Sequence, residues 1–207
     1  MRTALIWKHL SHEIVPVDLG SADGGEQGAP AHLERNPMAH VPVLELQEHG
    51  EVRHIGQSLA ILAFLEDRYS AFRLLPEDEY LRARARQLAE LVNANIQPLQ
   101  SMGFTKYVRD ELGGDARGVA RYWVRRGLLG FERTSAATRR RFCVGNEVSW
   151  ADLCLVPQLY NARQLGVDLD GLEPLVEIES RCLALDAFKR SHPDAQPDAP
   201  QNNTASS

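Results

Sequence analysis

The chain has 207 residues, of which 43% are hydrophobic, 25% charged and 7% aromatic. These shares are ordinary for a soluble globular protein and supply enough apolar side chains for one domain or two small ones. The formal net charge of −5 argues against a nucleic-acid binder that depends on phosphate contacts. No apolar run approaches the ~20 residues that span a bilayer, and charged residues interrupt the start. We therefore expect neither a membrane span nor a signal peptide.

The cysteines and histidines indicate the cellular compartment and exclude some kinds of site. Cys143, Cys154 and Cys182 are widely spaced and include no Cys-x-x-Cys pair. An odd, scattered set fits neither a disulfide framework nor a zinc finger. The histidines contain no His-x-x-x-His pair, so we also expect no metal site. The composition is typical of a reduced, cytoplasmic protein.

The first part of the chain predicts short alternating elements of a small α/β unit. In order they are a helix over residues 2–10, a strand over 12–19, a mobile surface loop over 20–30, strands over 41–46 and 52–55, and a helix over 57–69. The residues Glu48-His49-Gly50 lie between the last two strand patterns and predict a β-hairpin. We place the first domain at residues 1–70.

After a linker at residues 71–77, the remaining patterns have helical spacing. They predict helices over residues 79–101, 116–137, 149–165 and 172–188. The helix over 149–165 is apolar on most sides and is therefore expected to lie in the centre. We place a helical domain at residues 78–190, followed by a polar, flexible tail at 191–207.

Two short motifs could bind a ligand, and each has a structural alternative. A cis bond at Val41–Pro42 would free the N–H and C=O of Val41 for a ligand backbone. Only about 5–6% of X-Pro bonds are cis, so a trans strand start is the more frequent arrangement. Gln57 and Ser58 stand where a helix begins, and its N–H groups suit a carboxylate or phosphate. The alternative, favoured by the sequence alone, is that Ser58 or a neighbour caps the helix.

A third motif has a structural interpretation. Ser149-Trp150-Ala151-Asp152 places a carboxylate three residues after a hydroxyl at a predicted helix start. This is the pattern of a capping box, which pairs two backbone N–H groups with the two side chains. We expect it to nucleate the central helix and to have no catalytic role.

Five segments, distributed from the first third of the chain to its tail, form an ordered series. They are residues 36–44 (NPMAHVPVL), 54–61 (HIGQSLAI), 96–100 (IQPLQ), 143–158 (CVGNEVSWADLCLVPQ) and 188–193 (FKRSHP). The series resembles the zeta class of the glutathione transferase superfamily. The resemblance implies an α/β plus all-α fold, in which a thioredoxin-like N-terminal domain precedes a helical glutathione-transferase C-terminal domain.

The resemblance also implies glutathione as the cofactor and assigns residues to it. It implies a cis Val41–Pro42 bond, with the Val41 backbone pairing with the cysteinyl part of glutathione. Gln57 and Ser58 would hold the γ-glutamyl carboxylate, and Gln27 stands where the family has a glutathione-contacting glutamine. Further contacts in the cleft are expected from residues of the second domain, namely Gln97, Ser101, Met102 and Gly103.

Members of the zeta class isomerise maleylacetoacetate to fumarylacetoacetate in tyrosine and phenylalanine catabolism. The resemblance therefore implies a glutathione-dependent cis–trans isomerase of a small dicarboxylate, forming a homodimer. Maleylpyruvate is the alternative substrate. A different alternative is a non-catalytic binding module with the same fold.

The N-terminus departs from the family pattern. Zeta-class enzymes begin with a strand and a loop of the form Ser-Ser-Cys-x-Trp-Arg-Val-Arg, whereas Met1-Arg2-Thr3-Ala4-Leu5 falls where the following helix opens. We therefore assign no catalytic residue and expect this chain alone to be neither well folded nor active. The hypothesis is that Met1 is an internal valine whose GTG codon was read as a start. Upstream in-frame codons that encode no strand and no such loop would refute it.

A second departure concerns the substrate. In Asn161-Ala162-Arg163-Gln164-Leu165, Gln164 stands where the family usually has an arginine. The neighbouring Arg163 is then the candidate for binding a substrate carboxylate. Adjacent residues of a helix point about 100° apart. To replace the family's arginine, the Arg163 side chain would therefore have to reach the substrate from a different direction.

Overall fold

The structure, a computed structural model, describes residues 1–20, 25–196 and 199. The predicted loop over 20–30 and the predicted tail over 191–207 therefore lie partly outside the described residues. The chain divides into two compact units. One comprises Met1–Phe72 together with the described residues from Ala187 onwards, and the other comprises Arg73–Asp186.

The first unit combines short helices with a two-stranded antiparallel sheet. Its elements are α1 (Arg2–Trp7), α2 (Pro30–Arg35), β1 (Val43–Glu48), β2 (Glu51–Gly56) and α3 (Ser58–Arg68). The predicted hairpin is confirmed, since Val43 pairs with Gly56 at one end of the ladder and Glu48 with Glu51 at the other. Its turn residues, His49 and Gly50, have φ angles of 53° and 80°. Positive φ at both central positions matches the right-handed twist of the flanking strands.

The predicted strand over residues 12–19 is wrong. This segment has no strand assignment, and Ile14 and Val15 are 44% and 68% exposed. Alternating apolar residues form a strand only where a second strand completes the hydrogen-bonded ladder. The described residues provide no such partner for this segment.

A buried lysine fixes α1 to the end of α3. The Nζ of Lys8 donates to the carbonyl oxygens of Tyr69, Ala71 and Phe72 at 2.9–3.3 Å, and it lies 3.0 Å from the Glu66 carboxylate. Lys8 is only 5% exposed, so its charge needs these partners inside the protein. This arrangement holds the C-terminal end of α3 in place.

The second unit is helical throughout its regular structure. Its elements are α4 (Glu79–Glu90), α5 (Met102–Asp110), α6 (Ala116–Ser135), α7 (Trp150–Leu165) and α8 (Glu173–Leu183). The prediction of a central helix is confirmed, because α7 packs against α4, α6 and α8. The largest fully buried side chains of this unit include Leu88, Ile96, Val124, Leu128, Phe131, Leu155, Leu159, Leu175 and Ile178. The described part of the chain contains no helix with the length and apolarity needed to cross a membrane.

The predicted helix over residues 79–101 changes form before its end. The α-helical hydrogen bonding stops at Glu90, a π-helical turn follows over Leu91–Ile96, and a 3-10 turn covers Gln97–Gln100. Pro98 lacks the N–H that an α-helix requires at this position. In the wider turn, Ile96 packs against Gly127 of α6. The two residues are so close that a Cβ added to Gly127 would lie 2.3 Å from Ile96 Cγ1.

The predicted helix over residues 172–188 is divided in two. The α8 helix ends at Leu183, and α9 (Asp186–Ser191) begins after two residues, followed by a 3-10 turn over Pro193–Ala195. Two short helices, α2 and α5, were not predicted.

The predicted capping box at the start of α7 is confirmed. The Asp152 Oδ2 accepts from the backbone N–H of Ser149 at 2.8 Å and from its hydroxyl at 2.9 Å. The other carboxylate oxygen accepts from the backbone N–H of Cys143 at 2.9 Å. Asp152 is fully buried, and that burial raises the pKa of its carboxyl while these hydrogen bonds lower it. The carboxylate thus joins the preceding loop to the central helix.

Candidate functional site

The hairpin register brings the two predicted ligand-binding motifs together. Val43 and Gly56 form the last pair of the antiparallel ladder. The residues just before Val43 and just after Gly56 therefore leave the ladder at the same end. The Val41–Pro42 bond and the Gln57-Ser58 motif flank this end of the hairpin, although they are about fifteen residues apart in the chain.

The first motif offers free backbone groups. The Val41–Pro42 bond is cis, as the resemblance implies, and the alternative prediction of a trans bond is therefore wrong. Val41 is 41% exposed, and neither its N–H nor its C=O bonds to another described residue. A free donor and a free acceptor on one residue match the pairing pattern of an extended peptide.

The second motif offers the N-terminus of α3. Gln57 is the N-cap residue, but no side chain caps the helix, so the capping alternative is wrong. Among the described residues, the N–H groups of Ser58, Leu59 and Ala60 have no hydrogen-bond acceptor. These donors and the positive end of the helix dipole suit a carboxylate.

Gln57 has an unusual backbone conformation, with φ 66° and ψ 116°. A residue with a Cβ avoids this region, at a cost of about 1–3 kcal/mol. We expect Gln57→Gly to leave the unfolding free energy unchanged or to raise it by about 1 kcal/mol, because glycine adopts this φ freely. The same change should raise the Kd for glutathione several-fold, since the side chain is lost. Thermal unfolding and calorimetric titration measure the two effects, and a large fall in melting temperature would contradict the first.

Gln27 lies in the loop segment that precedes α2 in the first unit. It lies in a 3-10 turn over Glu26–Gly28, immediately after Gly25, whose φ is 85°. A Cβ on Gly25 would lie 2.1 Å from Gln27 Oε1, so the side chain folds back over its own turn. Its predicted contact with glutathione stays a prediction.

The other predicted glutathione contacts lie in the second unit, where the π-helical turn gives way to α5. Gln97 begins the 3-10 turn and is exposed, as are Met102 and Gly103 in the first turn of α5. The Ser101 hydroxyl accepts from the N–H of Phe104 and donates to the carbonyl of Pro98, so it acts as the helix cap.

A pair of amides fixes this segment to α7. Gln100 and the buried Gln158 exchange two hydrogen bonds, Nε2 to Oε1, at 2.7 and 3.1 Å. Each amide therefore satisfies the other inside the helical unit, which a buried polar group requires. The pair holds the backbone on which the predicted contacts lie.

The Arg163 guanidinium already pairs with a carboxylate of the same chain. It forms two hydrogen bonds to the Glu179 carboxylate, at 2.6 and 2.5 Å, and the Glu179 side chain is only 6% exposed. A bidentate pair of this kind joins α7 to α8 and takes up one N–H of each terminal guanidinium nitrogen. The predicted role of Arg163 in substrate binding stays a prediction, and a substrate carboxylate would share the guanidinium with Glu179.

None of the three thiols has the environment of a nucleophile. Cys143 and Cys182 are fully buried, Cys154 is mostly buried, and all three are free. Burial raises the pKa of Cys154 to about 12 and raises the pKa of Cys143 and of Cys182 as well. The thiolate is the reactive form, so these cysteines are inert near pH 7. Within the described residues, no group of three or more His, Cys, Asp or Glu side chains could hold a metal ion.

We expect these thiols to react slowly with Ellman's reagent in the folded protein. At pH 8 the native protein should release almost no thionitrobenzoate within minutes, whereas the denatured protein should release the equivalent of three thiols. A fast-reacting thiol in the native protein would contradict the burial and the raised pKa values.

Comparison with known proteins identifies the family. The family model for the glutathione S-transferase N-terminal domain matches residues 1–73. The chain is 40% identical to maleylacetoacetate isomerase of Rattus norvegicus over 200 residues, which cover 97% of this chain and 89% of the relative.

Two solved structures have the same fold over nearly the whole chain. The maleylacetoacetate isomerase of Anaeromyxobacter dehalogenans, with bound dicarboxyethyl glutathione and citrate in its active site, is 39% identical and has a TM-score of 0.86. The comparison covers 100% of this chain and 90% of that one. A maleylpyruvate isomerase described as a zeta-class bacterial glutathione transferase is 32% identical, with a TM-score of 0.88 and coverage of 96% and 93%.

These matches confirm the resemblance and the predicted thioredoxin-like and helical organisation. The free backbone groups at Val41 and at the start of α3 lie in the matched N-terminal region. The chain belongs to the maleylacetoacetate isomerase family, the zeta class of the glutathione transferases.

Proposed function

We propose that the protein is a glutathione-dependent cis–trans isomerase that converts maleylacetoacetate to fumarylacetoacetate. One observation carries the proposal most directly: the free N–H and C=O of Val41 and the uncapped N-terminus of α3 flank the same end of the hairpin ladder. A peptide-like ligand with a carboxylate at one end fits both features, and glutathione has this chemistry. The 40% identity to a maleylacetoacetate isomerase supports the choice of reaction.

Each part of this site has a separate task. The Val41 backbone holds the cysteinyl residue as one strand of a ladder holds the next. The N–H groups of Ser58, Leu59 and Ala60 hold the γ-glutamyl carboxylate, and the Ser58 hydroxyl adds a further donor. Bound glutathione supplies a thiol nucleophile that the chain's own buried cysteines cannot replace. Contacts from Gln97 and the first turn of α5 stay predictions of the resemblance.

The substrate is a small dicarboxylate in this proposal. The structural neighbour from Anaeromyxobacter dehalogenans was solved with dicarboxyethyl glutathione and citrate, which both carry several carboxylates. Maleylpyruvate is the second candidate, because the zeta-class neighbour with a TM-score of 0.88 is a maleylpyruvate isomerase. The two compounds share the cis double bond and a carboxylate at each end, so the same chemistry serves both.

The test is an isomerase assay with protein produced from its own gene, including any upstream in-frame codons. Each substrate is supplied in large excess over glutathione, and both product and remaining glutathione are measured. We expect many turnovers per glutathione and a higher kcat/KM for maleylacetoacetate. A higher kcat/KM for maleylpyruvate would select the second candidate. Glutathione binding with no turnover of either substrate would support the non-catalytic module instead.

We further propose that the enzyme is a cytoplasmic homodimer acting in tyrosine and phenylalanine breakdown. Three free cysteines and no disulfide among the described residues support a reducing compartment. Sedimentation equilibrium tests the dimer, because a mass equal to a single chain across micromolar concentrations would contradict it. Growth on tyrosine as the carbon source, with and without the gene, tests the pathway.

A further inference from the structure

Two side chains converge on one carbonyl oxygen just before the cis bond. The Nδ2 of Asn36 donates to the His40 oxygen at 2.8 Å, and the Nε2 of His32 lies 3.1 Å from the same oxygen. Asn36 and His32 are 8% and 7% exposed, so both contacts are shielded from water. The His40 carbonyl therefore has both lone pairs occupied by side chains of the α2 region.

The identity of the acceptor fixes which imidazole nitrogen carries a hydrogen. A carbonyl oxygen only accepts hydrogen bonds, so the His32 Nε2 must carry the hydrogen. The neutral form is then the Nε2–H tautomer. The ring of His32 lies on α2, four residues before Asn36, so both donors come from one side of the His40 carbonyl.

The peptide plane carries this constraint to Val41. The C=O of His40 and the N–H of Val41 belong to the same planar peptide unit and point in opposite directions. Two donors that hold the carbonyl therefore also fix the direction of the Val41 N–H, away from Asn36 and His32. The Val41 N–H has no partner among the described residues and is therefore available to a ligand.

Asn36 also fixes the position of the loop. Its Oδ1 accepts from the N–H of Met38 at 3.2 Å, and its backbone carbonyl accepts from the N–H of Ala39. On the other side, a Cβ at Gly56 would lie 3.4–3.7 Å from the Asn36 amide. The Asn36 amide thus lies beside the end of β2, just before the start of α3.

We propose that His32 is a positioning residue for glutathione, acting with Asn36 through the His40–Val41 peptide. This inference rests on the proposed function. The imidazole does not touch the ligand. It holds the peptide unit in the orientation that presents the Val41 N–H, so that less conformational freedom is lost when glutathione binds.

The test compares His32→Phe with His32→Gln in the full-length protein. Phenylalanine keeps the ring volume and removes the donor, whereas glutamine places an amide nitrogen near the position of Nε2. We expect His32→Phe to raise the KM for glutathione about tenfold, with kcat at saturating glutathione changed less than twofold. His32→Gln should restore most of the affinity. His12→Phe is the matched control, because its imidazole also bonds a backbone carbonyl but is exposed.

A second measurement does not depend on the variants' folding. Nitrogen-15 NMR of the unmodified protein above pH 8 should show His32 as the Nε2–H tautomer. An Nδ1–H tautomer would overturn the inference, and so would a His32→Phe variant with an unchanged KM. Unmodified protein that fails to bind glutathione would instead refute the proposed function, so the two failures are distinguishable.

Discussion

Replacing Asp152 with alanine is expected to cost roughly 4 kcal/mol of unfolding free energy, because three buried donors lose their shared acceptor. These donors are the N–H of Cys143, the N–H of Ser149 and the Ser149 hydroxyl. For a chain of this size, that loss corresponds to a fall in melting temperature of roughly 10 °C. Differential scanning calorimetry measures both quantities.

Two further variants test whether loss of the Asp152 carboxylate causes the predicted fall in stability. Asp152→Asn keeps an acceptor oxygen but adds an amide donor, so we expect a smaller loss than for alanine. Asp170→Ala removes an exposed carboxylate from a turn of the same unit and should change stability by less than about 0.5 kcal/mol. If Asp152→Ala and Asp170→Ala gave equal melting temperatures, the carboxylate would not be the link between the loop and α7.

Introducing a negative charge at the start of α3 should abolish glutathione binding without unfolding the protein. In Ser58→Asp the new carboxylate occupies the N–H groups that we assign to the γ-glutamyl carboxylate. Two carboxylates about 4 Å apart repel by about 4 kcal/mol at an effective dielectric constant of 20, which is roughly a thousandfold in Kd. The helix itself gains about 0.3–1 kcal/mol from an acidic residue in its first turn.

Ser58→Asn is the matched neutral control. Asparagine has the size of aspartate but no charge, so we expect a Kd for glutathione within about tenfold of the unmodified protein. Isothermal titration gives the Kd, and circular dichroism during heating gives the melting temperature. Equal affinities for the Asp and Asn variants would show that no ligand carboxylate lies at this helix start.

The elements that were predicted correctly are those that a short stretch of residues specifies by itself. The hairpin has a two-residue turn at His49-Gly50, and α7 has a capping box and an apolar surface on several sides, so both were predicted. The strand over 12–19 was wrong, because alternation of apolar residues does not show whether a partner strand is present. The predicted helix was carried through Pro98 to residue 101, whereas α4 ends at Glu90 and a π-helical turn follows, where Ile96 packs against Gly127 of another helix.

The candidate site also combines residues that local motifs indicate with residues whose contacts only the structure reveals. The ligand-binding roles of Val41 and Ser58 are predictions from the resemblance, and the hairpin register places both motifs at the same end of the ladder. Two features depend on contacts between distant or irregular segments and were not anticipated. Arg163 meets Glu179 on a different helix, and His32 lies on a helix that was not predicted.

The most direct test of the account is the response of backbone amides to glutathione. In a titration of isotope-labelled protein followed by nitrogen-15 NMR, we predict that the amide resonances of Val41, Ser58 and Leu59 move progressively and saturate together. Downfield proton shifts would indicate that each N–H has gained an acceptor. Saturating glutathione that leaves these three resonances unchanged, or that shifts only residues of the helical unit, would contradict the assignment of the site.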